Sequence, residues 1–137
     1  MPAEAFRNED TKAWLLKASQ DLRRVSLLLA LTPPDIEDAL FHAQQAVEKA
    51  FKALLTWHDV PFQRVHDLDA LGSQCVDLDA SLREIAARAE GLSAYAVRFR
   101  YPGAPYQPSL EEARAAEAIA REVFEAILAR LPEEVRP

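Results

Sequence analysis

Apolar residues recur at steps of three and four along almost the whole chain, and no useful stretch alternates with period two, so the pattern predicts helices throughout. Over residues 11–31, Trp14, Ala18, Leu22, Val25 and Leu29 form one stripe, with Lys17, Asp21 and Arg24 placed outside it as paired surface charges. Pro33 and Pro34 end that segment. From Asp35, a candidate N-cap, to His58, the residues Ile36, Leu40, Ala43, Val47, Ala50, Leu54 and Trp57 alternate steps of four and three and mark the clearest helix. Asp67 reads as the N-cap of a short helix carrying Leu68, Leu71 and Cys75. Asp79 or Ser81 opens a fourth segment with Leu82, Ile85, Ala89, Leu92 and Ala96 on its stripe, weakened by Gly91 and ended before Pro102. Ser109, with Glu112 three residues on, forms a capping box that opens a last helix running to Leu131.

Four long amphipathic helices joined by short links pack most simply as an antiparallel up-and-down bundle, with the short helix as a cap at one end. The expectation is an all-α, five-helix, single domain over residues 1–137, with its core at about 10–131 and about seven frayed residues at each terminus. If the third segment is only a cap, the fourth runs antiparallel to the second. Its far end then lies beside the start of the second helix, within reach of His42, and the last helix begins at the same end with free backbone amides that suit an anion.

Composition narrows what such a bundle can do. A formal charge of −6 opposes general binding to duplex DNA, whose affinity comes from neutralising phosphates, so any nucleic-acid contact must use a small basic cluster. The single cysteine, Cys75, cannot form an internal disulfide or complete a Cys/His zinc spacing, and the three histidines include no i, i+4 pair, so no metal and no cofactor are expected. No apolar run is long enough to span a bilayer and no leader pattern opens the chain, which points to a cytoplasmic protein without membrane contact.

Two stretches carry candidate chemistry. On the second helix His42, Gln45 and Lys49 share a face bordering the apolar stripe, a placement that suits an interface or a site. The structural alternative makes His42 a half-buried residue with a local hydrogen bond, and Glu48 with Lys52 an ordinary surface pair. The second stretch gathers Tyr95, Arg98, Arg100, Tyr101 and Tyr106 around Pro102, Gly103 and Pro105. Guanidinium groups fork onto phosphate oxygens and tyrosines stack on bases, so the mixture suits a nucleotide or a single-stranded RNA end. It is equally a helix-breaking turn. Arg64 to Asp67 adds a charged loop that capping by Asp67 explains, with His66 facing solvent.

The phrase FHAQQAVEKAFKALL at 41–55, the His66-Asp67-Leu68 entry, the tryptophan in the first helix and the Arg100-Tyr101-Pro102 turn together resemble the HEPN family (higher eukaryotes and prokaryotes nucleotide-binding domain) from about residue 10 to 130. The resemblance implies a five-helix domain, a homodimer, and pairing with a minimal nucleotidyltransferase in a toxin-antitoxin or nucleotide-handling module. Many HEPN proteins are metal-independent ribonucleases that use an arginine followed four to six residues later by a histidine. Neither Arg98 nor Arg100 is followed by such a histidine; Tyr106 stands six residues after Arg100. A phenol ordinarily holds its proton at neutral pH, so whether the chain is an enzyme stays open, with Arg100 and His42 as the catalytic candidates. The implied function is binding of a nucleotide or RNA end through Arg98, Arg100, Tyr101, His42, Tyr95 and Tyr106. A divergent ribonuclease toxin and a structural dimerisation module are the alternatives. For the dimer, Phe41 and Phe51 lie off the main stripe and offer apolar surface.

Overall fold

A computed structural model describes residues 3–62, 67–97, 102 and 107–137. It is all-helical, with no strand among the described residues, and contains five α-helices: α1 (Ala3–Leu29), α2 (Ile36–Trp57), α3 (Leu68–Leu78), α4 (Arg83–Ala89) and α5 (Leu110–Leu128). Short 3-10 stretches precede α4 (Ala80–Leu82), follow it (Glu90–Ala96) and follow α5 (Glu133–Val135). Among the described residues no helix is long and apolar enough to cross a membrane.

The caps fall where the side chains can supply them. Asp35 accepts from the Asp38 amide at 3.3 Å, Asp67 from that of Asp69 at 2.9 Å, Asp79 from that of Ser81 at 3.0 Å and Ser109 from that of Glu112 at 3.1 Å. Each satisfies an amide that the first turn of a helix leaves without a carbonyl. The fourth segment does not run as one α-helix. It tightens into the 3-10 form at Glu90, next to Gly91, whose lack of a side chain makes it the poorest helix former of the segment.

Helix α2 is central, touching α1, α3, α5 and the 3-10 stretch at Glu90–Ala96. Its residues Leu40, Ala43, Val47, Ala50 and Leu54 are buried, as their spacing predicts, while Ile36 and Trp57 at the two ends of the stripe are partly buried against the core. Helix α1 lies antiparallel to α2: the Asp35 amide bonds the Leu28 carbonyl at their shared turn, and Arg7 near the start of α1 stands over the Trp57 ring at the end of α2. Helix α4 runs antiparallel to α5, as Arg130 reaches Asp79 and Arg88 reaches Glu122. Helix α3 is a side helix, not a full bundle member. Its start meets the 3-10 stretch, where the Leu68 amide bonds Ser93, and its middle approaches α2 and α4 so closely that a Cβ at Gly72 would stand 3.4 Å from both Phe51 and Ala86. Cys75, fully buried beside this contact, directs its thiol at the Phe51 carbonyl at 3.6 Å, and burial pushes its pKa up to about 12.

Three expectations are corrected here. The termini are not frayed over seven residues: α1 begins at Ala3, and after α5 Val135 is fully buried while Arg136 donates to the Leu128 and Leu131 carbonyls at 2.8 and 3.2 Å. An apolar side chain and a cation suited to a helix C-terminus tie that segment down. Phe51 is also wholly inside the core and leaves no surface for a partner, because α3 covers it through the gap at Gly72. Nor does the first turn of α5 offer its amides freely to an anion, since Ser109 takes one and Glu111 and Glu112 place two carboxylates there.

Ending the chain after Leu131 should therefore cost about 1.5–3 kcal/mol, the burial free energy of a valine, read by urea titration at unchanged helical content. A second expectation concerns Glu90, whose pKa is raised by a hydrogen bond and charge repulsion from Asp69, with Asp67 adding to it. The folded state thus holds this proton more tightly than the unfolded chain. Its contribution to stability is present at acid pH and lost as pH rises through the raised value. Glu90→Gln should raise the Tm at pH 7, with the gain vanishing below about pH 4 in melting curves across pH.

Candidate functional site

Between α1 and α2 runs a seam of polar side chains at the edge of the core. Its centre is Asp21 on α1, only 1% exposed, a position the stripe pattern places on the outside. Lys49 donates to Asp21 Oδ2 at 2.6 Å, and His42 stands with Nδ1 2.8 Å from Oδ1. Arg24, one turn along α1, adds a longer contact at 3.4 Å. The face shared by His42 and Lys49 meets α1 here, so two of its members converge on one carboxylate.

This arrangement answers the cost of burying a charge. An isolated carboxylate inside a protein is expensive, and its neighbours must supply hydrogen bonds and opposite charge. Asp21 receives both. An ionised carboxylate can only accept, so the contact requires a hydrogen on His42 Nδ1. A neutral imidazole then has its lone pair on Nε2, the nitrogen turned toward Asp38 Oδ1 at 3.8 Å. The His42 and Lys49 side chains keep 18% and 20% of their surface exposed, and that of Arg24 about half. The site gathers two permanent cations and an imidazole around one inner carboxylate, with Asp38 on the rim.

The seam continues along α2. Gln45 donates to Gln44 Oε1 at 2.7 Å, Gln44 donates to Glu48 Oε1 at 3.0 Å, and Lys52 donates to Glu48 Oε2 at 3.0 Å. Glu48 and Lys52 are 3% and 7% exposed, which corrects their assignment as a surface pair. The Lys52 ammonium also stands 5.3 Å from the Trp14 ring centroid and 5.6 Å from that of Phe62, two aromatic faces that favour a cation where water is excluded.

Of the residues singled out from the sequence, the structure places His42 in this seam and Tyr95 in the hydrophobic core at 8% exposure. Burial leaves the Tyr95 ring unsuited to stacking on a base. Arg98, Arg100, Tyr101 and Tyr106, with Arg64 and His66, lie outside the described residues. Gln107 and Pro108 do line a cleft of about 540 Å³ with Leu31, Pro33, Asp35 and Ile36, which sets the start of α5 beside the start of α2. His58 is exposed at the end of α2. No cluster of metal-binding side chains occurs among the described residues.

The profile of one protein family, described as the HEPN domain, matches residues 11–131. Comparison with curated proteins and with solved structures yields no match.

Removing Asp21 should be far more damaging than removing its exposed partner. Asp21→Ala leaves Lys49 and His42 facing an apolar interior and should cost about 3 kcal/mol, whereas Arg24→Ala should cost under about 1 kcal/mol. Denaturant midpoints at pH 7 measure both.

Proposed function

The chain belongs to the HEPN domain family, which makes it a nucleotide- or RNA-related helical domain, and from that premise we propose that it binds a nucleotide or the end of a single-stranded RNA. The observation that carries this reading is the cluster at Asp21. In a chain of net charge −6, Arg24, Lys49 and His42 converge on a single inner carboxylate and set two cations and an imidazole, each partly exposed, at the surface between α1 and α2, with Asp38 on the rim. A small cationic site is what an acidic protein needs in order to hold a phosphate without attracting duplexes along its whole surface. Arg98, Arg100, Tyr101 and Tyr106 complete the proposal as sequence elements suited to phosphate and base contact.

The same reading assigns two protein partners: a second copy of this chain and a minimal nucleotidyltransferase. Both rest on what the family resemblance implies. Partly exposed apolar residues such as Leu16 and Leu27 on α1 are compatible with a protein interface.

Fluorescence anisotropy with a labelled single-stranded RNA, an equal-length DNA duplex and free nucleotides tests the binding reading. Preference for the RNA or a nucleotide over the duplex, weakened at least about tenfold in an Arg98→Ala, Arg100→Ala double variant, is expected, because each charge-assisted contact contributes on the order of 1.5–3 kcal/mol. Absence of any anisotropy change and of any ligand-induced rise in Tm would leave a structural dimerisation module.

A further inference from the structure

We infer that the cleft between the starts of α2 and α5 is a docking site for a short linear segment of another protein, one in which apolar side chains stand beside lysine or arginine. None of the residues that hold Asp21 lines this cleft, so the inference does not depend on the nucleic-acid reading. The wall of the cleft is largely apolar: Leu31, Pro33, Pro34, Ile36 and Pro108 border a volume of about 540 Å³. Leu31 is 53% exposed and Leu27, four residues before it, is 57% exposed, so the apolar surface continues from the cleft onto the end of α1. Leu110, two residues past Pro108, adds a third exposed leucine on the α5 side. Single exposed leucines are ordinary, but several bordering one concavity mark a surface suited to a partner.

Charge identifies the occupant. The lining contains two carboxylates, Asp35 and Glu37, and no lysine or arginine. Elsewhere exposed or half-buried carboxylates are matched by guanidinium groups: Asp59 by Arg7, Asp79 by Arg130, Glu117 by Arg121 and Glu122 by Arg88. Among the described residues the Glu37 side chain has no such partner, and the Asp35 carboxylate holds only the Asp38 amide that it caps. Glu111, in the first turn of α5, places a further carboxylate at this end. Acidic residues suit the first turns of helices, which accounts for their presence here but not for the bare leucines and prolines set among them. A segment that offers apolar side chains to the wall and cations to Asp35 and Glu37 matches both features.

The same carboxylates weigh against other occupants. They repel a phosphate or an anionic lipid surface, and a two-fold contact of this face with a second copy brings like charges together. The concavity is also sized for the few side chains that a linear segment presents, not for the face of about 800 Å² that a stable folded partner covers.

Fluorescence anisotropy on the full chain tests this with three labelled peptides of equal length, built of leucine with lysine, leucine with glutamate, and serine with lysine. The leucine-lysine peptide should bind, and the other two should bind at least about tenfold more weakly, a comparison that needs no variant. Leu31→Ser combined with Glu37→Lys should weaken the leucine-lysine peptide at least about tenfold, because the pair removes an apolar contact and turns an attraction into a repulsion. Glu125→Lys makes the same charge change at an exposed position near the far end of α5 and should leave the affinity within about twofold. No binding of the leucine-lysine peptide overturns the inference. So does equal binding of the serine-lysine peptide or an equal loss in Glu125→Lys, since either reduces the effect to general attraction by an acidic chain. A concentration-dependent increase in mass that the double variant abolishes assigns the face to a second copy and overturns it as well.

Discussion

The burial of Asp21 is the constraint to which the α1–α2 pairing answers. A carboxylate at 1% exposure must be neutralised where it stands, and the groups that do so come mainly from α2. Antiparallel helices with apolar stripes can slide by a turn and still bury comparable area, because hydrophobic attraction has no direction. A hydrogen-bonded ion pair does have direction. Shifting α1 by one turn would pull Asp21 about 5.4 Å along the axis and strand it among aliphatic side chains. The pair at Glu48 and Lys52, inside the same seam and boxed by Trp14 and Phe62, adds a second polar group whose satisfaction depends on local fit. The seam therefore fixes the register of the two longest helices, and it is also where the chemistry proposed for this chain is found. Stability and the proposed function would draw on the same contacts.

Around that pairing the rest of the domain is assembled by smaller, local devices. Capping side chains start α2, α3 and α5 at defined residues, and Arg130 closes the opposite end by joining Asp79, Ser81 and the Ala126 carbonyl, each at 2.7 Å. The hydrogen bonds from Ser81 and Arg130 hold the Asp79 carboxyl below its ordinary pKa. Close approach at Gly72 lets α3 lie against α2 without a full-length partner of its own.

Much of this was legible in the sequence because helices announce themselves by period and punctuation. The stripe from Ile36 to Trp57, the N-caps at Asp35, Asp67 and Ser109, and the inward Leu68, Leu71 and Cys75 all stand where spacing puts them. The seam was less legible. Asp21 follows Ala18 by three residues and precedes Val25 by four, the spacing of an inward position, but a charged residue in such a slot reads by default as surface. Glu48 and Lys52, four apart, carry the pattern of an exposed ion pair and are inside because neighbouring elements cover them. What decides these cases is the cover supplied by other parts of the chain, and no local rule contains it. The continuation of the fourth segment as 3-10 helix after Glu90, and the docking of Val135, likewise depend on packing partners distant in sequence.

The position of Cys75 has a practical consequence. It is the only thiol in the chain, sealed behind Phe51 and held almost wholly in its unreactive protonated form. An alkylating reagent meets a nucleophile only during moments when α3 lifts from α2, so the speed of labelling becomes a natural clock for the breathing of the domain. No reporter group has to be engineered to follow it.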